Sequence, residues 1–179
     1  MSITKIIFSG FGGQGVLTLG QLVADIALNQ GKEVTWMPSY GAEMRGGTAN
    51  CSVIISDKVI GSPIVISNID ILLAMNIPSV TKFFDKIKAG GHAFINSSIV
   101  TENYMPKGEN VNITPIDAAT IAQNANNPRG ANMAMLTGFL KQTNLFTLEE
   151  IEAALERRFK AKPELVAPNM DAIKLGMSF

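Results

Sequence analysis

Ile6-Ile7-Phe8-Ser9-Gly10-Phe11-Gly12-Gly13-Gln14-Gly15-Val16-Leu17 reads as a short buried strand, a glycine-rich turn and the opening of a helix. Gly10, Gly12 and Gly15 fit the G-x-G-x-x-G spacing of a phosphate-binding βα turn, and Gly13 adds a fourth glycine. Glycines at such a turn let the backbone bend sharply and come close to a ligand. The free N–H groups at the helix start then face an anion. Glycine-rich turns also serve packing alone. The strand and helix on either side favour the phosphate reading here.

Working outward, Lys5 to Ser9 is the first strand, apolar without alternation, as in a sheet covered on both faces. Gly13 to Asn29 is a helix whose Val16, Leu19, Val23, Ile26 and Ala27 form one apolar stripe. Gly31 stands where a C-cap glycine belongs, and Glu33 to Met37 is the second strand. Strand, crossover helix and strand make a βαβ unit and predict a parallel sheet.

Further along, Cys51 to Ser56 reads as a strand, with Asp57-Lys58 turning it into a hairpin with Val59-Ile60. Ile69 to Met75, Gly91 to Ile95 and Asn112 to Ile116 complete the strands. Pro78 opens a helix that runs to Ala89 and ends on Gly90. The last third is helical: a short helix capped by Asp117, a second over Ala131 to Gln142, and a third opened by Thr147-Leu148-Glu149-Glu150, a capping box. The tail from Val166 to Phe179 has apolar residues without a strong period and is expected to pack across the domain or onto a partner. The expected fold class is α/β: a Rossmann-like three-layer domain, with a mostly parallel sheet, an added β-hairpin and a helical C-terminal third, as a single domain over residues 1–179.

Bulk composition narrows the function classes. The 179 residues carry fifteen basic and fifteen acidic side chains, a net charge of zero that gives no footprint for nucleic acid or an anionic membrane. Charged residues are 17% of the chain, against about 25% in ordinary soluble proteins. That fits either a well-buried α/β domain or a surface partly hidden in a partner. A single cysteine, Cys51, allows no internal disulfide, which fits a reducing cytoplasm, and no Fe–S or Cys-based zinc site. One histidine, His92, offers no metal cluster or triad, and is expected to be satisfied by a backbone group. No apolar run reaches the ~18 residues that span a bilayer, and Met1-Ser2-Ile3-Thr4-Lys5 does not read as a signal peptide.

Two loops carry the candidate chemistry. A nicotinamide site of this type needs an acidic ribose reader about 20 residues beyond the glycines. Here that strand ends Met37-Pro38-Ser39-Tyr40, without an acid. The second loop, Pro38 to Asn50, contains Arg45, a permanent cation able to clamp a phosphate or carboxylate through two parallel bonds. Gly46 and Gly47 permit close approach, Ser39, Tyr40, Thr48 and Asn50 add neutral donors, and Glu43 either holds Arg45 or binds a hydroxyl or amine. Following two strands of one βαβ unit, both loops are expected at the same carboxyl edge of the sheet. The plainer alternative is a Glu43–Arg45 surface ion pair, contributing at most ~1 kcal/mol. Cys51 reads as a small buried strand residue.

Three stretches together resemble a known family. They are Gly10-Phe11-Gly12-Gly13-Gln14-Gly15-Val16, Pro38 through Cys51 with its Gly41-Ala42-Glu43-Met44-Arg45-Gly46-Gly47 core, and Ile60-Gly61-Ser62-Pro63. With Ala74-Met75-Asn76 and Asn127-Pro128-Arg129-Gly130-Ala131-Asn132-Met133 they resemble the gamma subunit of 2-oxoacid:ferredoxin oxidoreductases over most of the chain. Many members carry proline where this chain has Ala42. The resemblance implies a subunit of an enzyme that converts a 2-oxoacid and coenzyme A to acyl-CoA and carbon dioxide while reducing ferredoxin. It implies alpha and beta partner subunits that hold thiamine diphosphate with magnesium and Fe–S clusters, and often a ferredoxin-like delta subunit. It further implies a gamma domain that helps receive coenzyme A, with none of those other groups bound by this chain alone. On that reading the amides of Gly12, Gly13, Gln14 and Gly15 take phosphate oxygens, and Arg45 a phosphate or the substrate carboxylate. The loop wording leans to 2-oxoglutarate or 2-oxoisovalerate. The rivals are a free-standing nicotinamide oxidoreductase, a purely structural subunit, and the small subunit of an indolepyruvate oxidoreductase.

Overall fold

The computed structural model describes residues 3–40 and 48–179, with the backbone alone of Tyr40. Its frame is a six-stranded sheet in the order β2-β3-β1-β4-β5-β6. The strands are β1 (Ile3–Phe11), β2 (Glu33–Tyr40), β3 (Thr48–Ser56), β4 (Ile69–Ala74), β5 (Ile87–Asn96) and β6 (Asn112–Ile116). β4, β5 and β6 follow β1 in parallel, whereas β3 runs antiparallel to both of its neighbours, β1 and β2.

The expected βαβ unit therefore keeps its direction but not its adjacency: β2 points the same way as β1, and β3 lies between them. The expected hairpin of Cys51–Ser56 with Val59-Ile60 does not form. β3 pairs along its length with β1 on one side and β2 on the other, Phe8↔Cys51 and Pro38↔Cys51, so neither edge remains for Val59. The hairpin in this fold is β2–β3. Residues 57–68, with Gly61 and Pro63, carry no strand.

Side chains alternate across the sheet with the period of two that a pleated strand imposes. Ile6, Phe8, Cys51, Val53, Leu73 and Phe94 face one layer, and Ile7, Leu72, Ala74, Ala93 and Ile95 face the other. The first face is covered by α1 (Val16–Asn29), α3 (Ala118–Asn124), α4 (Ala131–Ala134), α5 (Thr137–Gln142), α6 (Leu148–Arg158) and α7 (Val166–Ser178). The second is covered by Val80 and Phe83 of α2 (Ile77–Phe83) and by connecting segments. Phe139 stacks on Phe8 at 5.9 Å and meets the edge of Phe94 at 5.1 Å. Burying a ring of this size contributes about 1.5–3 kcal/mol.

The apolar stripe expected on α1 is the face it buries, and the helix closes in a Schellman motif. Gly31 N–H donates to Leu28 and Lys32 N–H to Ala27, with Gly31 at φ 77°. Asp117 caps α3 and Thr147 caps α6 as expected. Three helical expectations change. The helix at Pro78 stops at Phe83, a 3₁₀ turn follows over Phe84–Lys86, and Ile87 already pairs with Ile69. Gly90 consequently sits inside β5, and Lys88 is ion-paired to Asp70. The span Ala131–Gln142 is two helices, α4 and α5, with Thr137 bonding back to the Ala134 carbonyl at the break. The C-terminal tail is a full helix, α7.

α1 departs from the carboxyl end of β1 toward one face and leads to β2. α2 departs from the neighbouring β4 toward the opposite face and leads to β5. Between β1 and β4 the winding reverses, and such a reversal opens a crevice above the strand ends.

Candidate functional site

The glycine turn stands at that crevice. Phe11 O accepts from Gln14 N at 3.1 Å, and Phe11 N donates to the Gln14 side-chain oxygen at 2.7 Å, so Gln14 closes the turn from both sides. The same oxygen accepts from Asn76 Nδ2 at 3.1 Å, tying β1 to β4. Gln14 thus holds the turn's shape, and its amide already has a partner. Gly13 lies at φ 95° and Gly15 at φ 75°, a region that disfavours other residues. Gly10 is packed beneath, where a Cβ would meet Val16 Cγ1 at 2.9 Å and Met75 Cβ at 3.0 Å. Gly12 and Gly13 open to solvent with nothing within 4 Å of a Cβ placed there.

A cleft of about 470 Å³ begins at Gly13–Gly15 and extends over the ends of β4 and β5. Apolar side chains of Met75, Ile99, Ala119 and Ala131 line it beside polar groups that are bonded within the protein. Asn96 is buried, with Nδ2 donating to Met75 O at 3.5 Å and Oδ1 accepting from Ser98 N at 3.2 Å. Asn76, also buried, caps α2 through Ser79 N at 3.0 Å. Ser98 Oγ donates to Asp117 at 2.6 Å and accepts from Ala119 N at 2.8 Å. The Ser98 hydroxyl, then the Thr120 side chain and, less, its N–H, hold the Asp117 carboxyl below its ordinary range. The far wall is the segment Pro128–Asn132. Asn132 lies directly on Gly15, where any Cβ would overlap its amide group.

Of the residues singled out in the sequence, Gly13, Gln14 and Gly15 line this cleft, Gly12 stands open beside it, and Gly10 supports it from below. Ser39, Tyr40, Thr48 and Asn50 lie on β2 and β3, with Thr48 opposite Phe11 and Asn50 between Ser9 and Ser39. They share the carboxyl edge with the glycine turn, on its other flank. Glu43, Arg45, Gly46 and Gly47 lie outside the described residues. Arg129, Asn132, Asn96 and Ser98 reach the cleft without having been singled out as site residues. The turn signal Asn127-Pro128-Arg129-Gly130 was visible in the sequence, but nothing local tied it to glycines more than a hundred residues away.

Cys51 is fully buried, its thiol donating to Val16 O at 3.6 Å, and burial pushes its pKa up to about 12. His92 is not satisfied by the backbone as expected. Its Nδ1 is buried with no hydrogen-bond partner among the described residues, and burial lowers its pKa. Among the described residues no group of three His, Cys, Asp or Glu is placed to hold a metal ion, and no helix is long and apolar enough to cross a membrane. The insertion of β3 also bears on the nicotinamide reading. The end of β2, where a ribose reader belongs, stands two strand spacings from the glycine turn, about 9–10 Å.

Comparison with known proteins agrees with this architecture. The family model described as pyruvate ferredoxin/flavodoxin oxidoreductase matches residues 5–179. Ketoisovalerate oxidoreductase subunit VorA of Methanothermobacter marburgensis is 34% identical over 174 residues, which is 96% of this chain and 35% of VorA. The chain therefore spans about a third of the length of the VorA relatives it matches. 2-Oxoglutarate synthase subunit KorC of Methanocaldococcus jannaschii is 35% identical over 153 residues, 84% of this chain and 81% of KorC. Among solved structures, the keto/oxoacid ferredoxin oxidoreductase gamma subunit of Geobacter sulfurreducens has a TM-score of 0.79 at 29% identity, covering 98% of this chain and 99% of that one. A 2-oxoglutarate:ferredoxin oxidoreductase of Magnetococcus marinus shares the fold, with a TM-score of 0.85 at 24% identity over 99% of this chain and 31% of that one. A match over nearly the whole sequence, with the glycine turn at the winding reversal, places the chain in the pyruvate ferredoxin/flavodoxin oxidoreductase family.

Proposed function

We propose that this chain acts as the gamma-type component of a thiamine-diphosphate-dependent 2-oxoacid:ferredoxin oxidoreductase, and that its carboxyl edge receives coenzyme A. The observation that carries the reading is the open face of the glycine turn at the head of the cleft. Gly12 and Gly13 leave room for a ligand to reach the backbone, and the floor beneath is already bonded. The cleft's volume is that of a site for part of a small molecule, within the usual range of about 300–1,000 Å³. The names of VorA and KorC support 2-oxoisovalerate or 2-oxoglutarate as the oxoacid.

The carbon chemistry belongs to alpha and beta partners, which supply thiamine diphosphate, magnesium and Fe–S clusters. A chain with one buried cysteine offers no place for a cluster. Ferredoxin, with or without a delta subunit carrying it electrons, receives the output. What this chain contributes is binding and orientation: holding the phosphate end of coenzyme A fixes where its thiol arrives. On this reading Arg45 takes a phosphate or the substrate carboxylate, and the setting is the reducing cytoplasm.

A charge placed on the open face tests the reading. Gly12→Asp meets no neighbour, so the fold stands, but its carboxylate repels a phosphate. In the assembled enzyme the apparent KM for coenzyme A is expected to rise about tenfold, with the oxoacid KM unchanged. Arg45→Ala is expected to raise the KM for coenzyme A or for the oxoacid. If Gly12→Asp leaves the coenzyme A KM where it was, the glycine turn serves packing alone.

A further inference from the structure

Arg129 is the one charged side chain among the described residues that line the cleft. It is exposed, and no carboxylate among the described residues pairs with it within 4 Å. Asp117 at the same edge is turned to Ser98 and Thr120. The described lining of the cleft therefore carries one positive charge and no negative one, in a chain whose overall charge is zero.

The base of this side chain is held fixed. Gly130 N donates to Asn127 O at 2.7 Å, closing a four-residue turn with Pro128 second and Arg129 third. Proline sets the backbone angle at that second position. Asn127 is clasped by Asn169 Oδ1 of α7 at 3.0 Å, and its own N–H donates to Ala122 O at 2.9 Å. Two residues beyond Arg129 the chain enters α4, and Asn132 seats on Gly15. Arg129 and the glycine turn are thus locked to one another across a gap.

We propose that Arg129 binds the diphosphate of the incoming coenzyme A, opposite the glycine turn. The inference rests on the coenzyme A reading above and assigns to it a residue and a chemical group. A guanidinium alone satisfies the two oxygens of a carboxylate. A diphosphate has more acceptor oxygens than one fork can reach, and needs donors on two sides. The cleft offers the fork of Arg129 on one wall and the open backbone of Gly12–Gly13 by the other.

The test compares coenzyme A with dephospho-coenzyme A, which lacks the 3′-phosphate and keeps the diphosphate. In the assembled enzyme, Arg129→Ala is expected to raise the KM for both thiols by the same factor, about tenfold or more, with the oxoacid KM unchanged. Arg129→Lys should fall between, since it keeps the charge and loses the fork. The thermal midpoint should not move, because the side chain is exposed. An increase for coenzyme A alone would reassign Arg129 to the 3′-phosphate and overturn the proposal, as would unchanged KM values for both thiols. If Gly12→Asp weakens coenzyme A while Arg129→Ala does not, this inference alone falls. If neither does, the coenzyme A reading falls with it.

Discussion

Cys51, Gly20 and Trp36 meet where α1 crosses the sheet. A Cβ on Gly20 would overlap the Cys51 sulfur and come within 3.1 Å of Trp36 Nε1. Alanine in a helix gains about 1 kcal/mol over glycine, but overpacking a rigid core costs about 1–3 kcal/mol. Gly20→Ala is therefore expected to lower the urea midpoint, and adding Cys51→Ala should restore part of the loss by removing the sulfur. With its pKa pushed up to about 12, Cys51 is expected to stay unlabelled by thiol reagents at pH 8 in the folded protein, and to react at once in urea. The burial of Cys51 was legible because its strand is local and apolar. The role of Gly20 was not, since it depends on which strand lies beneath the helix. Gln14 shows the same divide: its place in the glycine run was readable, but its bond to Asn76, 62 residues on, was not.

Elements whose determinants are local came through the sequence intact. Thr147 N donates to Glu150 at 2.8 Å and Glu150 N to Thr147 Oγ1 at 3.2 Å, the capping box read from four adjacent residues. Thr147→Ala is expected to cost about 1 kcal/mol, measurable as a shift in denaturation midpoint with unchanged slope. β6, α3 and the end of α1 follow the same logic. The β2–β3 pairing did not come through, because the partner of a strand is chosen by the whole sheet. The start of β5 was hidden for the same reason: Ile87 continues a helical pattern, but pairing with Ile69 takes it. α7 carries Pro168 in its first turn and a weak apolar period, so its helical state is set by the α4 and α5 surfaces it covers.

At the scale of the molecule, His92 and the carboxylates of Asp117 and Glu149 shape the response to acid. Burial lowers the His92 pKa, so the unfolded chain binds its proton more readily, and stability falls as pH drops below about 6.5. The Asp117 pKa is lowered chiefly by the Ser98 hydroxyl. Its contribution is present above about 4 and is lost as pH falls through its folded value. The pH–stability curve is thus expected to descend in two stages, and His92→Gln should remove the upper stage only. The open half of the candidate site was legible as the glycine turn, whereas its opposite wall required the tertiary fold to bring residues 96–132 over the strand ends. That assembly has a kinetic consequence. The cleft draws on Gly13, Met75, Asn96 and Arg129, so closing it means joining segments more than a hundred residues apart, after the local β2–β3 hairpin. Partly folded chains then contain no site, and a ligand held there couples to global unfolding alone. Its saturation would raise the denaturation midpoint of the whole chain by an amount set by RT ln(1 + [L]/Kd).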